Sequence, residues 1–222
     1  MTLPVDVVRV AGADAASYLQ GQLSQDIAAI AVGDVAYSFL LAPAGKIDAF
    51  VRVARVGEDD FELRVDAGSG GAVEARLRRF LLRTKATITL EPAPETAVSV
   101  EDEAARVEAG VLSMANEIDD RTVPAETGWV GRAVSFTKGC YTGQELVARM
   151  DSRVAEPPRR LVRLAVTAAT RGDAIAVNGN EVGTVTSAVA GAALGYAKRG
   201  TDLDGAADVG GEPATILGAV GD

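Results

Sequence analysis

One segment of the chain gathers the side chains that could do chemistry. Residues Phe136–Glu145 contain the sole cysteine, Cys140, in a chain that has no histidine. Lys138 lies just before this cysteine, and Tyr141 and Gln144 follow it. Because a thiolate is both a nucleophile and a metal ligand, the segment predicts thiol chemistry at Cys140, with Lys138 as its cationic neighbour.

The residues around the thiol favour its ionised form. Thr142–Glu145 fits a capping box, in which a threonine caps a helix and a glutamate reaches back to it, so a helix is predicted to begin just after Cys140. A helix N-terminus and the Lys138 ammonium both favour a thiolate. Gly139 and Gly143 let a ligand or another backbone come close. The alternative is a buried, inert cysteine that behaves as a small hydrophobe.

The composition excludes several kinds of catalytic and metal site. Without histidine, this chain cannot form a Ser-His-Asp or Cys-His catalytic set, or a zinc site of the Cys/His type. An iron–sulfur cluster needs about four thiolates or their substitutes. Cys140 could therefore supply at most one ligand, to a cluster shared with a partner, and no metal site of the chain's own is expected.

Charge and hydropathy limit the class of partner. The 222 residues carry a net charge of -9, and 48% of them are hydrophobic. Acidic and basic residues are mixed, which argues against nucleic acid and against an anionic membrane surface as partners. The first residues show no signal-peptide pattern, and no apolar run reaches transmembrane length. With a single cysteine and no internal disulfide, a cytoplasmic protein is expected.

Hydrophobic periodicity predicts the elements that must position these residues. Strands are predicted at 5–10, 35–41, 47–56, 61–66 and 85–90, where β-forming residues lie between turn signals. A short helix is predicted after Asp14 as its N-cap, and a longer one at about 70–82, where Val73, Leu77 and Phe80 form an apolar stripe. Strands with a helix on one face predict an α+β body built on an antiparallel sheet.

A helix predicted at about 101–109 places a carboxylate, Glu108, in its last turn. The helix dipole favours cations at that end, so Glu108 is expected to meet a ligand or an arginine. An exposed glutamate without a partner is the alternative. The irregular stretch at 114–131 is too long for a plain connection and is expected to wrap around the site.

The segment at 156–160, which begins Glu-Pro-Pro, predicts a domain boundary. Beyond it, strands predicted at 161–167, 174–177, 181–187 and 193–198, with another near 215–217, indicate a small β-barrel. Asn178-Gly179-Asn180 predicts a hairpin turn. The expected domains are residues 1–156, the α+β body, and residues 157–222, the barrel.

Five motifs together resemble one known family. Lys138–Glu145, with the sequence Lys-Gly-Cys-Tyr-Thr-Gly-Gln-Glu, is similar to the signature of the YgfZ-type folate-binding proteins. These are relatives of the glycine-cleavage T-protein, an aminomethyltransferase. The resemblance continues in the same order and rough spacing across nearly the whole chain, at Asp14–Leu23, Pro43–Ile47, Arg106–Gly110 and Gly183–Ser187.

The resemblance implies a partly ferredoxin-like α+β body and a small β-barrel around a hole that binds tetrahydrofolate or a derivative. It also implies a role in the assembly or repair of iron–sulfur enzymes, with Cys140 as the functional thiol and Lys138 next to it. Glu108 maps to the acidic residue that faces the pterin, which suits a carboxylate because a pterin edge presents paired N–H donors. The residues expected to contact the cofactor are Glu108, Tyr141, Gln144 and Arg149.

Two departures from the family pattern bear on the fold. The chain is shortened between Leu90 and Glu103, where the relatives carry more sheet and helix, so the ferredoxin-like part is expected to be abridged. After Arg149, the sequence Asp151–Val154 replaces the family's aromatic-Arg-Gly run. A valine stands there in place of a glycine, so that loop is expected to differ in shape.

Three functions follow as hypotheses. The first is a tetrahydrofolate-binding accessory protein for iron–sulfur enzymes or their assembly proteins, acting through the Cys140 thiolate. The second is a folate-dependent aminomethyl or other one-carbon transferase, for which the thiol would be dispensable. The third is a non-catalytic folate-binding module. Whether the protein is an enzyme is left open, with an accessory role favoured.

Overall fold

The computed structural model describes residues 3–94, 98–152 and 156–221. They form two compact units that interleave along the chain. The sheet unit comprises Pro4–Ala97 and Val130–Arg149, and the barrel unit comprises Val98–Trp129 and Met150–Asp222, with Met1–Leu3. Residues 98–129 thus belong to the barrel unit. These units are not the two domains expected from the sequence, and the domain boundary at residue 156 stays a prediction.

The described residues contain the following strands and helices. The strands are β1 Val5–Ala11, β2 Val35–Leu41, β3 Ile47–Gly57, β4 Asp60–Asp66, β5 Thr87–Glu91, β6 Arg159–Val166, β7 Ala174–Val177, β8 Asn180–Val189, β9 Gly191–Lys198, β10 Asp204–Val209 and β11 Glu212–Ala219. The helices are α1 Ala15–Gln22, α2 Gly70–Arg78, α3 Val100–Glu108, α4 Val130–Ala133 and α5 Gln144–Ser152. None of them is both long and apolar enough to cross a membrane.

The sheet unit is built on five antiparallel strands in the order β2-β3-β4-β1-β5. Every second residue of β4 is buried, and Val8 of β1 pairs with the buried Leu63 of β4. Helices α1 and α2 pack against this sheet, and the Tyr18 hydroxyl of α1 donates to the Leu77 carbonyl of α2 at 2.6 Å. Burial raises the pKa of Tyr18 to about 12.

The barrel unit contains a closed six-stranded barrel in the order β10-β11-β6-β9-β8-β7. Its core is made of small branched side chains, among them Val162, Leu164 and Ile175. The turn between β7 and β8 places Asn178 and Gly179 at φ 52° and 78°, the backbone that a two-residue hairpin requires. The predicted α+β body followed by a small β-barrel is confirmed.

The largest difference from the sequence prediction lies at the end of α2. The helix ends at Arg78 rather than near residue 82, because the apolar stripe stops at Leu77. Val73 and Leu77 are buried, whereas Phe80 is 43% exposed and lies against the Arg76 guanidinium at 4.3 Å. The expectation about the loop at Val154 lies outside the described residues.

Candidate functional site

The signature segment presents its thiol at the surface. Cys140 is a free, exposed cysteine, so the expectation of a buried cysteine is wrong. Helix α5 begins at Gln144, four residues after Cys140 rather than directly behind it. The neighbouring Tyr141, in contrast, is only 9% exposed. Its buried side chain anchors the segment immediately beside the thiol.

Lys138 fastens this segment to the chain that leaves α1. Its Nζ atom donates to the carbonyl oxygens of Gln20 at 2.6 Å, Leu23 at 2.6 Å and Gln25 at 2.9 Å. An ammonium has three donors, so all three are used; we call these three acceptors the carbonyl cage. Burial lowers the pKa of Lys138 to about 8, opposed by the charge of Asp26. The cage gives Lys138 a positioning role.

Further contacts hold the segment in the same place. The Lys138 ammonium lies 5.0 Å from the centroid of the Tyr141 ring, a cation–π distance, and burial raises the pKa of Tyr141. The Thr142 amide donates to the Gly21 carbonyl at 3.1 Å. Ser24 donates to the Ala133 carbonyl at 2.6 Å. The Asp14–Leu23 motif of the sequence therefore forms the seat of the signature segment.

Two glycines explain why the turn at Pro43–Ile47 accompanies the signature. Gly143 has φ 81°, and a Cβ atom there would lie 2.5 Å from the Ala42 carbonyl oxygen. Gly45, with φ 80°, would place a Cβ atom 2.4 Å from the Leu146 side chain of α5. Both distances are below van der Waals contact, so any side chain at either position would separate the turn from the signature segment.

The predicted capping box is wrong in its partners. The side chain that reaches back is that of Gln144, whose Oε1 accepts from the Tyr141 amide at 3.0 Å. Glu145 instead forms an i,i+4 ion pair with Arg149 on the exposed face of α5. Gly143 at positive φ lies between the turn and the helix, which shifts the reach-back by one residue. Gln144 thus shapes the loop that carries Cys140.

In the barrel unit, Glu108 is the last residue of α3 and is exposed. Among the described residues, its carboxylate makes no hydrogen bond and no ion pair. No arginine pairs with it there, and the arginine of the same turn, Arg106, is 2% exposed and binds Glu103 and Glu117. A lone carboxylate at a helix C-terminus is disfavoured by the helix dipole, and the structure thus shows the exposed, unpaired glutamate that was the alternative expectation.

Sequence reasoning missed Glu117, which organises the interior of the barrel unit. Its side chain is fully buried, and its Oε1 accepts from Thr186 at 2.7 Å and Ser187 at 2.6 Å. Its Oε2 accepts from Arg106 at 3.0 Å and from the Ser113 amide at 2.9 Å. The carboxylate therefore joins the Arg106–Gly110 and Gly183–Ser187 motifs, which the sequence could recognise but not connect.

A known protein structure has the same fold as this chain. No family model matches the chain. A crystal structure of the glycine cleavage system aminomethyltransferase T from Bartonella henselae superposes with a TM-score of 0.83, over 98% of this chain and 83% of that protein, at 18% identity. The fold is that of aminomethyltransferase T.

Two curated proteins are similar in sequence. An uncharacterized protein of Haemophilus influenzae is 26% identical over an alignment of 227 positions, which covers 82% of this chain and 81% of the relative. An aminomethyltransferase of Exiguobacterium sibiricum is 39% identical over 72 residues, which cover 32% of this chain and 20% of that enzyme. The first relative thus matches most of this chain, and the aminomethyltransferase matches about a third of it.

Within this T-protein fold, the predicted site residues fall into two groups. Those of the signature and its helix belong to the sheet unit: Lys138, Cys140, Tyr141, Gln144 and Arg149. Glu108 belongs to the barrel unit. The described residues contain no group of three or more histidine, cysteine, aspartate or glutamate side chains placed to hold a metal ion.

Proposed function

We propose that this protein binds tetrahydrofolate or a derivative and serves as an accessory factor for iron–sulfur enzymes, with Cys140 as the acting thiol. The observation that carries the proposal is the sole cysteine, exposed on a loop that the carbonyl cage fastens, within an aminomethyltransferase T fold. A loop held this firmly presents its thiol in one place, which pre-organises it for a partner.

The folate part of the proposal rests on Glu108. Its exposed carboxylate has no partner among the described residues, so its acceptor atoms are free for the paired N–H groups of a pterin edge. A bound folate would supply that hydrogen-bonding edge and a one-carbon carrier. Tyr141, Gln144 and Arg149 remain proposed contacts. Because the Gln144 oxygen already accepts from the Tyr141 amide, the Gln144 side chain would have only its amide hydrogens to offer.

The iron–sulfur part rests on the thiol. A single exposed cysteine can bind one iron of a cluster shared with a partner, but cannot hold a cluster by itself. The proposed partners are iron–sulfur enzymes or their assembly proteins. A reducing compartment such as the cytoplasm belongs to the proposal, because there an exposed thiol stays reduced.

A folate-dependent aminomethyltransferase is the second candidate, favoured by the names of the T-protein from Bartonella henselae and of the Exiguobacterium sibiricum relative. In that enzyme reaction an acidic residue would orient the folate and no thiol would be required. Cys140→Ser separates the two. A transferase keeps its turnover in this variant, whereas an accessory factor no longer supports iron–sulfur enzyme activity in cells that depend on it.

Calorimetric titration with tetrahydrofolate tests the proposal first. We expect binding by the wild-type protein and by Cys140→Ser, and at least about tenfold weaker binding by Glu108→Gln, because one charge-assisted pair of acceptors is lost. Glu181→Gln removes an exposed carboxylate from the same unit and serves as the matched control. No detectable binding by the wild-type protein contradicts the folate role. Equal binding by Glu108→Gln and wild type contradicts the assignment of Glu108 to the pterin.

A further inference from the structure

The chain that follows α2 forms a loop rich in cations and exposed apolar side chains. We call residues 79–85 the basic loop; its sequence is Arg-Phe-Leu-Leu-Arg-Thr-Lys. Leu82 is 83% exposed and Phe80 is 43% exposed. The predicted apolar stripe of α2 included Phe80, but both of these side chains lie at the surface, and Phe80 is in contact with Arg76.

The cations of the basic loop are unpaired. Arg79, Arg83 and Lys85 are exposed, and their side chains make no ion pair or hydrogen bond among the described residues. The preceding arginines of α2 differ, since Arg76 pairs with Asp48 and Arg78 with Glu74. In a chain with a net charge of -9, these three neighbouring cations form no ion pair among the described residues, so all three are available to an anion from outside.

The base of the loop is fixed, so its side chains are presented rather than trailing. The Lys85 amide donates to the Asp14 carboxylate at 2.7 Å, and the Asp14 amide donates to the Lys85 carbonyl at 3.2 Å. Gly12, at φ 134°, lies so close that a Cβ atom there would be 2.5 Å from the Lys85 carbonyl oxygen. A fixed loop loses little conformational entropy when a partner binds it.

An open cleft continues from the basic loop. Its volume is about 400 Å³, and two residues of the basic loop, Arg79 and Phe80, form part of its wall. The rest of its wall is mainly apolar and consists of Leu40, Ala42, Pro43, Ala72 and Val73, with the Arg76–Asp48 pair at the side. The surface thus offers an apolar recess next to a row of cations.

These features select among anionic partners. A base of single-stranded nucleic acid needs an open aromatic face to stack on, but the one aromatic ring here, Phe80, is covered by the Arg76 guanidinium. A bilayer is flat and does not fill a recess, and the one fully protruding apolar side chain, Leu82, is a weak anchor by itself. An extended peptide can place an apolar side chain in the recess and carboxylates on the cations.

We propose that the basic loop and its cleft are a docking site for an acidic segment of a partner protein, one that carries a leucine-sized apolar residue between glutamates or aspartates. Arg79, Arg83 and Lys85 bind the carboxylates, the recess takes the apolar side chain, and the exposed Leu82 of the loop adds an apolar contact. This site is independent of folate and of Cys140, so it goes beyond the proposed function and survives if that function fails.

The test uses a fluorescein-labelled octapeptide of glutamates with one central leucine, and measures its binding to the full chain by fluorescence anisotropy. We expect binding that weakens as salt is raised, because the cations remain exposed. Arg79→Glu/Arg83→Glu should weaken it at least about tenfold, since each reversal removes an attraction and adds a repulsion. Arg121→Glu, at another exposed arginine, should leave it unchanged.

The apolar contribution has its own matched pair. Leu82→Ser should weaken peptide binding several-fold, whereas Val100→Ser, which alters a valine that is 77% exposed, should not. Melting temperatures within about 2 °C of wild type confirm that the variants are folded. Absence of peptide binding, or equal binding by Arg79→Glu/Arg83→Glu and wild type, overturns the proposal. The proposal is also overturned if the peptide does not bind while phosphatidylglycerol vesicles or oligo-dT do, and if these variants abolish that binding. In that case the surface binds a membrane or nucleic acid.

Discussion

Replacing Lys138 with methionine tests whether the carbonyl cage holds the signature segment. Methionine keeps an unbranched side chain of similar length but has no donor. The carbonyls of Gln20, Leu23 and Gln25 then lose the ammonium to which they are bonded at 2.6–2.9 Å. We expect the variant to fold and to be less stable, with the loop around Cys140 detached from its seat.

The size of the loss follows from the number of acceptors. A buried acceptor left without its partner costs about 1–3 kcal/mol. Because water can reach part of this site, the low end applies to each of the three carbonyls, which gives about 3 kcal/mol in total. For a chain of this length that corresponds to a fall in melting temperature of roughly 6–12 °C.

Urea and thermal unfolding measure this loss directly. Lys198→Met is the matched control, because its ammonium is exposed and contacts a single carbonyl at 3.3 Å; its stability should stay within about 0.5 kcal/mol of wild type. In Lys138→Ala, the emptied cage should accept methylammonium, which should restore stability and the wild-type rate of Cys140 alkylation, whereas choline is too large. An unchanged stability of Lys138→Met, or no rescue by methylammonium, refutes the positioning role.

The pH dependence of the same comparison has a definite sign. Burial lowers the pKa of Lys138 from 10.5 in the unfolded chain to about 8 in the folded protein. Between these two values the unfolded chain holds a proton that the folded protein has released, so the free energy of unfolding rises with pH. The stability of wild type relative to Lys138→Met should therefore increase from about pH 8 to pH 10.5, and stay level below pH 8.

Two further predictions concern packing. Gly143→Ala should destabilise the protein by about 2 kcal/mol or more, because φ is 81° and the added Cβ atom would meet the Ala42 carbonyl oxygen at 2.5 Å. The control is Gly139→Ala, where nothing lies within 4 Å of the added Cβ atom. Its stability should equal that of wild type in the same urea titration. Arg106→Met should cost about 3–5 kcal/mol, because it leaves the buried carboxylate of Glu117 without its cation. A loss for Arg106→Met no larger than that for Arg121→Met, an arginine with a 79% exposed side chain, would show that the buried pair is not needed.

Apart from β10, Asp204–Val209, which was not predicted, the strands were predictable because their signal is local. Alternation in β4 and the Asn178-Gly179 turn are read within ten residues, and the structure places both as expected. The end of α2 was not predictable, because the sequence alone does not reveal that Phe80 packs on Arg76 at the surface. The expectation was that Phe80 would extend the buried stripe. The shift of the reach-back from Glu145 to Gln144 depends on the conformation of a glycine.

The contacts that build the candidate site are non-local and were not predictable. Sequence reasoning identified Lys138 as a neighbour of the thiol but not its three carbonyl partners, which lie more than a hundred residues away. Glu117 carries no local pattern at all, and its importance emerges only when α3 and β8 converge on it. Motif recognition found the correct stretches, while the reason that they occur together is tertiary.

The interleaving of the two units bears on how the protein is made. A ribosome that has released residues 1–129 has delivered all five strands of the sheet unit, but not Lys138. Until that lysine emerges, the carbonyls of Gln20, Leu23 and Gln25 face solvent, and Ser24 lacks its partner at Ala133. The sheet unit must therefore wait for a segment encoded after part of the barrel unit. A fragment that ends at residue 97 or at residue 129 would contain all five strands but lack Lys138, so the sheet unit is complete only when residues 130–149 are present.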